Sequence, residues 1–521
     1  MTARGEPLPD RIDPAVERSG TRLALVVLAA VVLAELSAIL VLNHGVFTFT
    51  LDDPYIHLAL SENIIRGHYG VNAVEASAPS SSIIWAFLLA PGAWSITGGI
   101  YLALLLNVAA AAALVVVYGK MLGRVLVRLR SAPVFALCVV LLAGATNVLG
   151  LVFVGMEHTL QVLLVALVVF GLVREVETGQ PPPFLLAAIV LAPLVRYECL
   201  AVSGAALGYL LLRGHVRAVL LTAGLLVAGL VAFSAFLLSH GLEPLPTSVV
   251  AKSQVAAGRI GGVLSTLRDA LKDFRGVLLA VAALLLGTAA LDPRRVAAER
   301  LLALAIAGAI GLHLLVGRYG AYHRYEVYIW ATATLSLLYV GRVSLSGVLD
   351  RLGPWRFALA ATIWAALLHA HFVQNLITIP IAANNIYEQQ YQMHRFAVAY
   401  GRPVAVNDLG YVSYGNPQYV LDLGGLASLE ALRHRRGTDT AWLERLTTQH
   451  DVRLAMVYDD WVTRMPATWR RVGRLELGKV RVTPAGSVVS FYVIGDDGGE
   501  VARRLAAFTP TLPPGVTLTL D

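Results

Sequence analysis

The chain has 521 residues, 57% of them hydrophobic and 14% charged, with a formal net charge of +7. So large an apolar share excludes a single soluble core and points to a membrane protein that crosses the bilayer many times. The basic residues fall between apolar runs, not in one aromatic-interleaved patch, which excludes a nucleic-acid grip and assigns them to membrane orientation.

The polar start carries Arg4, Arg11 and Arg18, with Arg22 just ahead of the first apolar run, residues 23–42. A cleaved signal peptide would have an apolar core of about 7–15 residues and a small-residue cleavage site, whereas a run of about 20 residues is long enough to span. It reads as an uncleaved signal anchor with residues 1–22 in the cytosol.

An outer loop follows over residues 44–82. Its stretch Thr50-Leu51-Asp52-Asp53-Pro54-Tyr55-Ile56-His57 holds two adjacent carboxylates near the membrane surface, where a lipid-borne substrate would present its head group. Asp53-Pro54 reads as a helix start and Arg66-Gly67 as its stop. With Ile56, Leu60 and Ile64 on one side, that short helix is expected to lie along the membrane surface. Residues 83–96, interrupted by Pro91-Gly92, read as interfacial. Were they to cross, the next run would deliver Lys120, Arg124, Arg128 and Arg130 to the outside, against the positive-inside rule.

The remaining apolar runs, at 101–118, 133–151, 159–173, 184–195, 199–212, 219–238, 277–291, 301–316, 327–340 and 357–373, complete about eleven alternating spans. Arg196-Tyr197-Glu198 breaks 184–212 into a hairpin, because a charged pair is costly at mid-bilayer. Cys138 and Cys199 both lie inside apolar runs, so no disulfide framework is expected. From about Asn384 the texture changes. Short β-rich runs at 404–406, 419–423, 454–458 and 488–494, with helical or turn-like stretches such as 427–435, predict a soluble α/β domain over 384–521 outside the membrane. Residues 509–515 are proline-rich and read as extended. The fold class expected is an α-helical polytopic membrane protein, its helical domain at 23–383, with a C-terminal extracytoplasmic α/β domain. No zinc, Walker or dinucleotide motif occurs.

On this topology unusual charges gather at the outer face: Asp52, Asp53, Glu157, Arg196, Glu198, Lys252, Arg318, Arg324 and Glu326. Acids beside bases suit a reaction in which one group removes a proton while others neutralise a phosphate leaving group. Plainer readings stand beside this one. Asp53 serves equally as a helix cap, Glu157-His158 as a solvated turn, Arg196 as the partner of Glu198 or a snorkelling cation, and Lys252 as a solvated loop lysine. Glu35, inside the first span, reads as hydrogen-bonded to a neighbouring helix.

The order of these signals resembles a known family. Asp52-Asp53-Pro54-Tyr55-Ile56-His57, Gly67-His68-Tyr69-Gly70 and Ser80-Ser81-Ser82 are similar to the first outer loop of GT-C fold glycosyltransferases, membrane enzymes that use polyprenyl-phosphate sugars as donors. Gly155-Met156-Glu157, Leu194-Val195-Arg196-Tyr197-Glu198, the run from Leu245 to Lys252, and Arg324-Tyr325 resemble, in order, bacterial relatives of mycobacterial terminal arabinofuranosyltransferases. Asn407-Asp408-Leu409-Gly410 and the stretch from Leu421 to Leu426 look like the start of their outer domain.

The resemblance implies an inverting transfer of a sugar, arabinofuranose among the candidates, to a cell-envelope glycan, lipid or protein at the outer face of a bacterial plasma membrane. A carboxylate of the first loop, Asp52 in preference to Asp53, would act as general base on the acceptor hydroxyl. The departing polyprenyl phosphate would be met by Lys252, Arg196 or Arg324, or by a divalent cation held by carboxylates. His57, Glu157, Glu198 and Tyr325 complete the expected substrate contacts. The rival reading is a transporter or flippase, since buried charge in a bundle also marks substrate paths. That reading predicts inverted halves with interrupted helices near mid-membrane.

Overall fold

The computed structural model describes residues 11–252, 260–435, 439–462 and 465–521; Arg4 lies outside the described residues. Among the described residues, six helices are long and apolar enough to cross a membrane: Pro14–Leu42, Ile96–Val125, His158–Thr178, Val216–Ser239, Phe274–Leu291 and Ala297–Val316. Three further pairs, Ala132–Ala145 with Val148–Val154, Val327–Val340 with Arg342–Leu352, and Pro354–Leu368 with Ala370–Tyr400, are bent by 50°, 69° and 75°, and bring the number to nine if each pair is one span. Residue chemistry sets the first break: Asn147 adopts a left-handed backbone at φ 52°, a conformation that asparagine tolerates and a continuing helix does not.

The bundle is sorted by what each helix faces. In His158–Thr178 the spanning window is 72% buried, which makes this the central helix, whereas in Pro14–Leu42 it is 17% buried. Leu33, Val41, Leu220 and Leu221 point outward, an apolar rim that suits lipid better than water. Pro183–Val195 and Leu200–Leu212 each have 13 residues, about 20 Å of helix. They part at Arg196, whose backbone is extended, at the break that the charged triplet predicts.

Three expectations are corrected here. The helix Asp53–Ile64 does not lie along a surface: Pro54 through Ser61 are all buried, because the short helices Trp85–Leu89 and Gly410–Ser413 pack on it. Its N-cap position belongs to Asp52, with no side-chain cap bond, and Asp53 is in the first turn. Glu35 is half-buried and makes no side-chain hydrogen bond among the described residues.

Beyond the bundle, six strands among the described residues form one mixed sheet: β1 (Val404–Val406), β2 (Val420–Asp422), β3 (Leu454–Val457), β4 (Trp469–Glu476), β5 (Val488–Ile494) and β6 (Thr517–Leu520). Their order is β2-β1-β3-β5-β4-β6. β1 runs parallel to β2 and β3, and the other pairings are antiparallel. β1 and β3 are buried along their whole length, as continuous apolar strands of a parallel pair should be. The helix Ala370–Glu388 and its continuation Gln390–Tyr400 carry the chain from bundle to sheet. Glu388 accepts the Gly478 N–H at 2.9 Å and Asn385 accepts the Val482 N–H at 2.7 Å. On the bundle side the Thr48 hydroxyl donates to the Ala383 carbonyl at 2.7 Å.

Candidate functional site

Where the sheet domain meets the end of the bundle there is a cavity of about 580 Å³. Its walls bring together Asp52, Asp53 and His57 from the first loop, Arg318, Arg324 and Tyr325 from the loop before Val327–Val340, and Asp408 and Arg435 from the C-terminal domain. Three carboxylates thus share one space with three guanidiniums. Local geometry explains the convergence. Thr50 pins the first loop by donating its N–H to the Phe153 carbonyl at 3.0 Å. Ahead of Arg324, Ala321, Tyr322 and His323 all take left-handed backbone, with φ of 49°, 60° and 58°, which doubles the chain back; three such non-glycine residues in a row are strained and need support. The Tyr322 hydroxyl supplies some, donating to the Asn375 carbonyl at 2.8 Å.

The adjacent aspartates do different things. Asp52 is 6% exposed, and its two oxygens accept the backbone N–H groups of Gly410, at 2.5 Å, and Tyr411, at 2.7 Å. The approach is so close that a Cβ on Gly410 would sit 2.0 Å from the Asp52 carbonyl oxygen, so this position requires glycine. Asp53 accepts from the Arg324 guanidinium, and its side chain stays 32% exposed toward the cavity. Asp408 accepts from Gln390 Nε2 at 2.8 Å, which also reaches the Tyr458 hydroxyl at 2.8 Å. Burial, and then the two carboxyls' effect on one another, raise Asp52 well above the ordinary aspartate range. Burial first, with Asp53 adding to it, pushes Asp408 up to about 6. Two such carboxyls in one dry place favour holding a proton between them.

Glu157, Arg196 and Glu198 are not among the residues lining the cavity; they form a layer behind it. Arg196 is 1% exposed and donates to Glu157 at 2.6 Å and to Glu198 at 2.7 Å. Glu157, with 0% exposed, lies 3.6 Å from His57 Nε2, and His57 Nδ1 lies 3.1 Å from the Ser80 hydroxyl. The expected substrate contacts therefore divide: His57, Arg324 and Tyr325 line the cavity, while the Glu157–Arg196–Glu198 group lies behind His57. Lys252 ends the helix Thr247–Lys252, and its side chain lies outside the described residues. Four residues earlier in the same helix, Ser248 lines the cavity, with its hydroxyl unpartnered among the described residues.

Sequence reasoning did not single out Asp408, Gln390 or Arg435 as site residues. Asp408 had one usable signal, since it follows the C-terminal end of a strand in a parallel pair, where α/β sheets place ligands; Gln390 had none. As for a divalent cation, no group of three or more His, Cys, Asp or Glu among the described residues could hold a metal. Asp53 is already matched by Arg324 and both Asp52 oxygens by backbone N–H groups, so no step is routed through a cation.

Fold and site together define a helical chain with six to nine candidate membrane spans, whose polar cavity is closed over by a small sheet domain. Residues 384–492 match the model of a domain of unknown function, DUF8728, a stretch that runs from the connecting helix into β5. No curated protein matches the chain.

Proposed function

We propose that this protein is an inverting membrane glycosyltransferase that moves a sugar from a polyprenyl-phosphate donor to a cell-envelope glycan, lipid or protein. The observation that carries the reading is the Asp53–Arg324 pair at the wall of a cavity that also holds Arg318 and Arg435. A donor phosphate entering there competes with Asp53 for Arg324. As the guanidinium turns to the phosphate, Asp53 is released to accept the proton of the acceptor hydroxyl. The hydroxyl oxygen then attacks the anomeric carbon from the face opposite the phosphate, and the carbon–oxygen bond to the phosphate breaks. Its electron pair leaves with polyprenyl phosphate, whose charge is met by Arg324, Arg318 and Arg435. Asp53 replaces Asp52 as the favoured base because its side chain is 32% exposed, whereas Asp52 is occupied in holding Gly410 and Tyr411.

In this reading the two short helices on either side of Arg196 also cross, which with the nine spans counted above makes eleven. The site end faces outward, and residues 384–521 are extracytoplasmic at a bacterial plasma membrane. Arabinofuranose is one candidate sugar. The three bent helix pairs are the feature that a transporter would share, but the charged residues cluster at the ends of the bundle and not halfway along it.

The test is transfer by the purified protein in liposomes, supplied with a panel of synthetic polyprenyl-phosphate sugars and envelope acceptors. Loss of a general base should cost 10²- to 10⁴-fold in turnover, so Asp53→Asn should fall by about that factor while still binding donor. Undiminished turnover in Asp53→Asn removes the base assignment. Movement of the lipid-linked sugar across the bilayer without transfer establishes the transporter instead.

A further inference from the structure

A second cavity, also of about 580 Å³, lies at the other end of the bundle. Four guanidiniums line it, from four separate stretches of chain: Arg11 ahead of Pro14–Leu42, Arg124 at the end of Ile96–Val125, Arg174 near the end of His158–Thr178, and Arg342 at the start of Arg342–Leu352. The helices His158–Thr178 and Val327–Val340, of 21 and 14 residues, begin beside the first cavity and end beside this one, which separates the two by ~20–30 Å.

Among the described residues, negative charge is short here. Glu177 is shared, one oxygen accepting from Arg124 Nε at 2.9 Å and the other from Arg174 Nη1 at 3.2 Å. Arg342 is held by Glu299 and by the Tyr339 carbonyl, at 3.0 Å. Among the described residues, even with Glu299 counted, two carboxylates face four guanidiniums, and Glu299 also serves Arg295. A bias toward basic residues at cytosolic helix ends accounts for arginines in this region, and the carbonyls of the helix C-termini offset part of their charge. Neither effect requires four of them to converge on one hollow. The side chain of Arg124 is 6% exposed, so its charge is drawn out of solvent into that hollow. Val125, Val127 and Val343 form apolar wall between the guanidiniums.

We propose that this cavity binds a phosphate group, gripped by the planar donor forks of these arginines, and that the site is independent of the chemistry assigned to the first cavity. Two sources carry that group: the headgroup of an anionic phospholipid, whose glycerol and acyl chains would run along the valines, and a soluble phosphate compound.

The experiment uses the full chain in nanodiscs of phosphatidylcholine with and without cardiolipin or phosphatidylglycerol, and separately in detergent with inorganic pyrophosphate. Bound lipid is read by native mass spectrometry and protection by the melting midpoint. The variants are Arg11→Gln with Arg174→Gln, and Val343→Glu, which keeps every arginine and its partners but adds a carboxylate at a half-exposed wall position. Preferential retention of anionic lipid by the wild type, reduced about tenfold or more in the variants that fold, upholds the site with a lipid source. Protection by pyrophosphate equal to that by lipid, lost in the same variants, upholds it with a soluble source. No preference for either probe over phosphatidylcholine, or wild-type retention in any folded variant, overturns it. Should the double variant not fold, Val343→Glu decides.

Discussion

Replacing Asp52 by alanine withdraws the acceptor of two backbone N–H groups, those of Gly410 and Tyr411, from a place that is nearly dry. A buried donor left without a partner costs ~1–3 kcal/mol, so two cost ~2–6 kcal/mol. Part of this is recovered, because the carboxyl itself is disfavoured by burial beside Asp408, and a net loss of about 2–3 kcal/mol is the working figure. The loss falls on the docking of Gly410–Ser413 against the helix Asp53–Ile64, not on the bundle. At 1.4 kcal/mol per factor of ten, amide exchange at Gly410 and Tyr411 should quicken by about 30- to 140-fold in Asp52→Ala. Amides of β5 should stay within twofold. Exchange read by mass spectrometry on the purified protein gives both numbers, with Asp53→Ala as control because its side chain bonds Arg324 and leaves those N–H groups alone. Unchanged exchange at 410 and 411 in Asp52→Ala would refute the clamp and return Asp52 to candidacy as the base.

Arg324→Lys keeps the charge but loses the fork, and should raise the donor KM more than the acceptor KM; the reverse pattern in initial-rate kinetics counts against a phosphate contact. Arg196→Ala leaves Glu157 buried without its cation and should cost ~3–5 kcal/mol, seen as a large fall in the denaturation midpoint, with partial recovery when Glu157→Gln is added; an unmoved midpoint denies the network its structural role. Because Asp408 sits near 6 when folded against 3.8 ordinarily, the folded state holds the extra proton between those values. Stability should therefore fall as pH rises through that window and the loss should be complete above it. The wild-type midpoint minus that of Asp408→Asn isolates the effect, and a flat difference from pH 4 to 7 contradicts it. Cys138 and Cys199 are both buried, so cysteines placed at the exposed Val480 and at Arg294 can be labelled against a quiet background. Labelling of position 480 from outside and of position 294 from the cytosol is expected, and the opposite result inverts the topology.

What could be read from the chain alone follows from how local each signal is. β1 and β5 match the expected runs residue for residue, since continuous β-branched and aromatic segments leave little choice of state. β4 went unseen because Trp-Arg-Arg-Val-Gly-Arg-Leu-Glu carries three arginines and a register shift between Arg471 and Gly473, which breaks the period of two. Helix cores were legible but not their ends: Ile96–Val125 runs past the apolar stretch because Glu177 pairs with Arg124, a contact 53 residues away. The helix after Asp53 was misplaced for the same reason. Its apolar stripe is visible in sequence, but the short helix covering its other face comes from the C-terminal domain, more than 340 residues later. At the site, adjacent carboxylates advertise themselves, whereas Asp408 resembles any turn aspartate until folding brings it to Asp52.

That Asp52 and Asp53 divide their work is a matter of helix geometry. Successive residues entering a helix with 3.6 residues per turn point about 100° apart, so two neighbouring carboxylates at its start reach different partners even where both border the cavity. One is turned toward the sheet domain and takes Gly410 and Tyr411; the other is turned toward the loop of Arg324. A single peptide unit therefore joins the contact that seats the domain to the pair that lines the cavity. Lifting Gly410–Ser413 away removes both partners of Asp52, frees the first turn of the helix, and lets Asp53 leave the line of Arg324. Seating the domain and presenting the cavity carboxylate are thus one event, and excising residues 384–521 would disable the cavity even though most of its guanidiniums stay in the bundle.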